Sequence, residues 1–261
     1  MKTKSTLMVI VILLVTTSSM QAQRSSAVHG LRVPDEEVVA LNDQAVALTK
    51  AARYREAVEA FKRAIQSDPN YATAYNNLGM AYGQLGQREK EMEALKQAVR
   101  LKPDYAEAHY NMGRLYSDQA RYREAVKSYQ LAISVRPDFA EAHNNLGVAY
   151  SDWGRPTEAA EAYRQAIHAK PDYAEALNNL GTAQAEMGRY EDAVVSFQRA
   201  STINPKLARA HFNLGVTYLR MQKREAALSQ HRLLLTFDRG LSAKLYDGIY
   251  RGKILNVASI R

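Results

Sequence analysis

The chain is predicted to be all-α, a solenoid of about six stacked helix-turn-helix units followed by a C-terminal capping helix. Three observations predict this. Pro69, Pro103, Pro137, Pro171 and Pro205 stand 34 residues apart. Gly79, Gly113, Gly147, Gly181 and Gly215 keep the same step, which a single inserted residue would destroy. Between these marks, two apolar stripes of helical period alternate in each unit.

The glycines align units at 72–105, 106–139, 140–173, 174–207 and 208–241, with a less regular unit at 38–71 before them. The first stripe occupies the fourth, seventh and eleventh positions: Tyr75, Leu78 and Tyr82, then His109, Met112 and Tyr116, then His143, Leu146 and Tyr150. At 100° per residue these fall within about 60° of arc, one face of a helix. The second stripe sets a large residue between small ones: Ala125, Tyr129 and Ala132, then Ala159, Tyr163 and Ala166, then Ala193, Phe197 and Ala200. That pattern lets a bulky ring enter a closely packed neighbour.

Punctuation places two helices in each unit. Gly86, Gly154 and Gly188 sit where a first helix must end in left-handed backbone. Pro156 opens a second helix, where its missing N–H costs nothing. Asp104 with Glu107, Asp138 with Glu141 and Asp172 with Glu175 read as capping boxes. Beyond the last unit, Leu241, Leu245 and Ile249 recur every four residues, as in a helix that covers the final apolar face; residues 242–261 form this cap and a tail.

Asn77-Leu78-Gly79 with Tyr82, and Ala125, Tyr129, Ala132 and Pro137, resemble the tetratricopeptide repeat pattern, over residues 38 to about 241. The resemblance implies a right-handed superhelix lined inside by the first helix of each unit. Gln44, Glu91, Gln184, His231 and Arg239 depart from the pattern. Glu91 stands where the paired helices approach, which implies looser packing there.

Ahead of the repeats, Lys2 and Lys4, an apolar run Leu7–Val15 and small polar residues up to Ala22 have the layout of a secretory signal peptide over residues 1–22. Residues 23–37 read as a linker. The apolar run is shorter than the roughly 20 residues of a spanning helix, so cleavage and a periplasmic or secreted location are expected. An uncleaved membrane anchor through residues 7–15 is the alternative. The formal charge of +8 falls by two without Lys2 and Lys4, and no polybasic run concentrates the rest, which argues against nucleic acid as a partner. The absence of cysteine excludes disulfides and thiolate metal sites.

Opposite the first stripe lie the second, fifth, sixth, ninth and thirteenth positions, where a binding surface is expected. The sixth is Asn77, Asn111, Asn145, Asn179 and Asn213 in successive units. An amide supplies both a donor and an acceptor, the pair that an extended peptide backbone requires. The series resembles the asparagine ladder of the tetratricopeptide superhelix of O-linked N-acetylglucosamine transferase, which implies contact with peptide main chain. The other reading is that these amides cross-link neighbouring repeats. Asn76, Asn144 and Asn178 extend the amide surface. Tyr110 and Phe212 place rings at the fifth position as candidate anchors. Arg114, at the ninth position, joins this set. Glu107, Asp118, Glu141, Asp152, Glu175 and Glu186 make the middle acidic, against Arg209 and Arg220 in the last unit. Pairing of Asp118, Asp152 and Glu186 with Arg121, Arg155 and Arg189 three residues on is the plain account of half that charge.

The second and sixth positions of the middle units are Glu and Asn, not the basic residues by which some tetratricopeptide domains clamp acidic carboxy-terminal tails. His109, His143 and His211 fall on the core stripe, about 10 Å apart by helix-pair spacing, too far for one metal ion. No phosphate loop, nucleophile elbow or metalloprotease pair occurs. No catalysis, cofactor, metal or small-molecule substrate is therefore expected. The expected function is a protein-interaction scaffold that holds an extended segment of a partner. Two alternatives are an assembly factor of cell-envelope machinery acting through convex faces or array ends, and an accessory subunit presenting substrate to another chain.

Overall fold

The computed structural model describes residues 35–251, so the expected signal peptide, most of the linker and the final ten residues lie outside the described residues. Among the described residues all regular structure is helical: α1 (Glu36–Lys50), α2 (Tyr54–Ser67), α3 (Ala72–Gln84), α4 (Arg88–Leu101), α5 (Ala106–Asp118), α6 (Tyr122–Val135), α7 (Ala140–Asp152), α8 (Pro156–Ala169), α9 (Ala174–Glu186), α10 (Tyr190–Ile203), α11 (Ala208–Arg220), α12 (Arg224–Leu235) and α13 (Arg239–Arg251). The protein is an all-α solenoid of paired helices with an additional C-terminal helix. It divides into two compact units after Gln87.

The first unit holds α1, α2 and α3. Asp35 caps α1, its carboxylate accepting from the Glu37 N–H at 3.5 Å. α2 packs against both α1 and α3, burying Ala57, Phe61 and Ala64.

The second unit runs from α4 to α13, each helix packing on the next. The first helices of successive repeats also touch directly, α5 on α7, α7 on α9 and α9 on α11, and so form a continuous wall. Among the described residues the backbones of the second helices α6, α8 and α10 do not approach one another closely. Between α6 and α8 this leaves a cavity of about 420 Å³ over Ile133, Leu146, Tyr150 and Ala162.

The pairs lock by ring against glycine. A Cβ added at Gly113 would lie 2.6 Å from Tyr129, one at Gly147 2.5 Å from Tyr163, and one at Gly181 2.7 Å from Phe197. These rings are buried between alanines, as the second stripe requires. The last repeat differs: His231 stands in the ring's place, and the neighbour of Gly215 is Leu245 of α13, 2.5 Å from an added Cβ.

The ends of the first helices follow the sequence reading, with φ of 71°, 77° and 75° at Gly86, Gly154 and Gly188. Ala52, Ala120 and Gln222 hold the same conformation at the equivalent positions, φ 57°, 55° and 59°. Each turn is closed by a backbone bond such as Arg121 N–H to Tyr116 C=O at 2.9 Å or Arg155 N–H to Tyr150 C=O at 2.8 Å. The helix starts differ from the reading. α5, α7 and α9 begin after Tyr105, Phe139 and Tyr173, whose side chains donate no cap, and the expected Asp-x-x-Glu boxes do not form. The aromatic cap residue stands one position beyond Asp104, Asp138 and Asp172, so each helix starts two residues after the aspartate. The turn is instead held by bonds such as Phe139 N–H to Arg136 C=O at 3.2 Å.

Candidate functional site

The wall made by the first helices carries a relay of side-chain amides. In the first unit, Asn77 Nδ2 donates to Asn42 Oδ1 at 3.1 Å while Asn76 Nδ2 donates to Asn77 Oδ1 at 3.3 Å. In the second unit, Asn144 Nδ2 donates to Asn145 Oδ1 at 3.3 Å, and Asn145 Nδ2 to the Tyr110 hydroxyl at 2.9 Å. Asn179 Nδ2 donates to Asn144 Oδ1 and Asn213 Nδ2 to Asn178 Oδ1, both at 3.1 Å. Each of these inter-repeat bonds joins residues 35 positions apart, except that Tyr110 replaces the accepting amide at α5. The fifth position of one repeat thus accepts from the sixth position of the next.

The asparagines therefore cross-link neighbouring repeats, and their exposure alternates. Asn76, Asn144, Asn178 and Asn111 are buried, whereas Asn77, Asn145 and Asn179 are half-buried. Two expected wall residues lie inside. Phe212, 1% exposed, belongs to the core with Phe197, Leu214 and Leu245 and offers no ring to a groove. Asn213, also 1% exposed, is covered, and its Oδ1 has no hydrogen-bond partner. The two facts are linked: at α11 a phenyl ring occupies the fifth position, so no amide donates to Asn213 as Asn144 donates to Asn145. The sequence reading passed over Asn42, the first acceptor of the relay, although its fifth-position spacing marks it.

Tyr110 stands at the edge of the wall, its ring 5.0 Å from Phe139 and 5.8 Å from Tyr129. Burial raises its phenol pKa, opposed first by Arg114, then aided by Glu141. Arg114 is exposed and makes no ion pair among the described residues. Arg136 pairs with Glu107 and lies 4.4 Å over the Phe139 ring. Neither Arg136 nor this seat was singled out from sequence, though Arg136 stands just before the repeating proline.

The acidic edge is paired in a different way from the i, i+3 reading. Asp118 meets Arg88 Nη2 at 3.4 Å, not Arg121, and the same guanidinium holds the buried Glu91 at 2.9 Å. Arg121, Arg155 and Arg189 precede second helices and pair forward with Glu124, Glu158 and Asp192. Helix geometry explains this: Asp118 and Asp152 end their helices, and the left-handed turn carries the following arginine onto the next one. Asp152 and Glu186 are exposed.

The three core-stripe histidines share one role. The Nε2 of His109, His143 and His211 lies 2.8, 2.8 and 3.0 Å from the carbonyl oxygens of Pro103, Pro137 and Pro205, clasping each first helix to the turn before it. Gln184, in place of the usual tyrosine, accepts from Ser196 Oγ at 2.6 Å, so its buried amide is satisfied. Among the described residues no group of three or more His, Asp or Glu could hold a metal ion, and no helix is long and apolar enough to cross a membrane.

Repeated helix pairs that interlock ring against glycine and present a continuous first-helix wall define a helical-repeat solenoid of the interaction-module class. Tetratricopeptide-repeat models match residues 72–105, 110–174 and 162–195, and a TPR-repeat model matches residues 47–86 and 183–222, together more than half of the chain. The chain belongs to the tetratricopeptide-repeat proteins. No curated protein matches it. Among solved structures it is similar to YrrB, a TPR protein with an unusual peptide-binding site, at 24% identity and TM-score 0.62, covering 73% of this chain and 99% of that one. PilF of Pseudomonas aeruginosa is 18% identical with TM-score 0.73, covering 84% and 99% of the two chains. PilW, a type IV pilus biogenesis factor, is 22% identical with TM-score 0.71, covering 81% and 99%. At these identities the likenesses establish the fold.

Proposed function

We propose that the protein is a non-catalytic scaffold that holds an extended segment of another protein against the wall of α5, α7 and α9. The observation that carries this reading is the half-buried pair Asn145 and Asn179. The relay fixes each amide, yet one Nδ2 hydrogen and one Oδ1 lone pair of Asn145 remain beyond its two relay bonds. Amides already held in place lose little side-chain entropy when a peptide backbone docks. The resemblance to the transferase ladder and the peptide site of YrrB support the same reading.

A photo-cross-linking residue in place of Arg114 or Val148, on the wall, is compared with one in place of Leu131 or Val195, which are exposed on second helices. A partner captured from both wall positions and from neither second-helix position is expected. The reverse pattern would overturn the reading.

A second reading, assembly through the end of the array, is favoured by Leu233, Leu235, Phe237, Tyr246 and Tyr250, all exposed at the last repeat and α13. PilW, of similar fold, is a type IV pilus biogenesis factor. Capture from Tyr250 alone would select it. We also propose that the protein is exported, on the leader-like residues 1–22. Recovery of the full-length chain in the cytoplasm after fractionation would refute this.

A further inference from the structure

This inference rests on the peptide-binding reading and adds the chemistry of the bound segment. It starts from one seat on the wall and the equivalent positions one repeat on. At the junction of α5 and α7, the protein's own Arg136 fills a seat made of the Glu107 carboxylate and the Phe139 ring. One repeat on, Glu141 and Tyr173 occupy the equivalent positions, 34 residues beyond Glu107 and Phe139, and Glu175 follows on α9. Lys170 takes the place of Arg136. Its ammonium lies 5.0 Å over the Tyr173 ring and makes no ion pair with either carboxylate. Glu141 and Glu175 are exposed, and neither is ion-paired among the described residues.

The Tyr173 phenol, half-buried beside both, reports the local field. Burial first, then Glu141 and Glu175, push its pKa up to about 12. Along the row the next residue is the exposed Arg209, which ends the acidic stretch. Arg114 lies on the other side, near the Tyr110 phenol. Asn145 and Asn179, both half-buried, stand one turn on from Glu141 and Glu175 along the same helices. A carboxylate, an aromatic ring and a peptide-binding wall together suit a guanidinium or ammonium side chain attached to main chain.

We propose that the wall at α7 and α9 is a docking surface for a basic extended segment, with one Lys or Arg side chain seated between Glu141 and Glu175 beside Tyr173. Charge complementarity selects this occupant. An acidic segment would meet two carboxylates that make no ion pair among the described residues, and a neutral one would leave the seat unused.

The test uses the full chain and fluorescein-labelled Gly-Ser peptides of equal length, in which every third residue is Arg in one and Gln in the other. Fluorescence anisotropy at low salt is expected to show the Arg peptide binding about tenfold more tightly, with the preference weakening as salt is added. In the double variant Glu141→Gln, Glu175→Gln the preference should vanish while the Gln peptide binds as before. Both substitutions are at exposed positions, and an unchanged melting temperature confirms that the fold is retained. Equal binding of the two peptides, or an Arg preference that survives the double variant, overturns the cationic seat and leaves the peptide-binding wall standing. Failure of both peptides to bind overturns the wall as well.

Discussion

The middle repeats and the last repeat solve the same packing problem with different parts. In the middle repeats, the aromatic ring that presses on the first-helix glycine comes from the second helix of the same pair, Tyr129, Tyr163 or Phe197. In the last, His231 turns away to Ser242, its Nδ1 lying 2.8 Å from Ser242 Oγ, and Leu245 of α13 reaches back to Gly215. A middle repeat completes its own lock; the last one borrows a side chain from the helix that ends the array. The wall follows the same division. The relay closes at Asn145, where an amide stands at the fifth position, and leaves an unpaired acceptor at Asn213, where Phe212 stands.

Four measurements test this contrast, taken from the largest expected effect to the smallest. Gly147→Ala drives a methyl into the Tyr163 ring, and about 3 kcal/mol of stability should be lost in urea denaturation. Gly215→Ala meets the tip of a flexible Leu245, so about 1 kcal/mol or less is expected. Equal losses would mean that α13 holds its leucine as rigidly as a second helix holds its ring.

Alkaline titration tests the middle repeats through the buried phenol of their lock. Burial pushes the Tyr129 phenol up to about 12, with Ser117 opposing. A phenol that holds its proton more tightly when folded stabilises the fold below about pH 10, the unfolded value, and that contribution is lost as pH rises towards 12. Loss of about 2 kcal/mol over that window is expected, and Tyr129→Phe should lose correspondingly less. A variant with the same alkaline loss as the parent would assign the effect elsewhere.

Removal of relay amides comes next. Asn144→Ala strands both Asn145 Oδ1 and Asn179 Nδ2, and about 2 kcal/mol should be lost. Asn213→Ala removes an amide whose Oδ1 already lacks a partner, and about 1 kcal/mol is expected. A larger loss at Asn213 would show that the ladder is anchored at its end, not its middle. Smallest is the gain from Ala120→Gly and Gln222→Gly. Both residues occupy left-handed backbone that glycine adopts freely, so each should add about 0.5–1 kcal/mol. Thermal denaturation that moves downward in either variant would contradict the shared turn geometry.

Most of the fold was legible from period alone, because proline, glycine and the two stripes are each dictated by local geometry that recurs in phase. The ring-against-glycine lock follows directly from the glycine and the ring recurring in phase at Gly113 and Tyr129, Gly147 and Tyr163, and Gly181 and Phe197. The capping boxes were misread because Asp-x-x-Glu carries no information about the aromatic residue between, which sets the true helix start. The site was legible in part. Sequence periodicity placed Asn145 and Asn179 on the wall, but could not show which of two amide neighbours faces inward. That depends on the stacking of one repeat on the next. Phe212 was misplaced for the same reason: its position matches Tyr110, but α13 and the last repeat close over it. The seat of Arg136 on Glu107 joins residues 29 apart, a spacing that no helical period reveals.

The amide relay also bears on copy number. Because each acceptor at the fifth position serves the donor 35 residues on, excision of residues 174–207 would set Asn213 opposite Asn144 in the register now held by Asn179. The wall can therefore be shortened by a whole repeat without a broken rung. Its reach along a partner becomes a quantity that changes in steps of one unit.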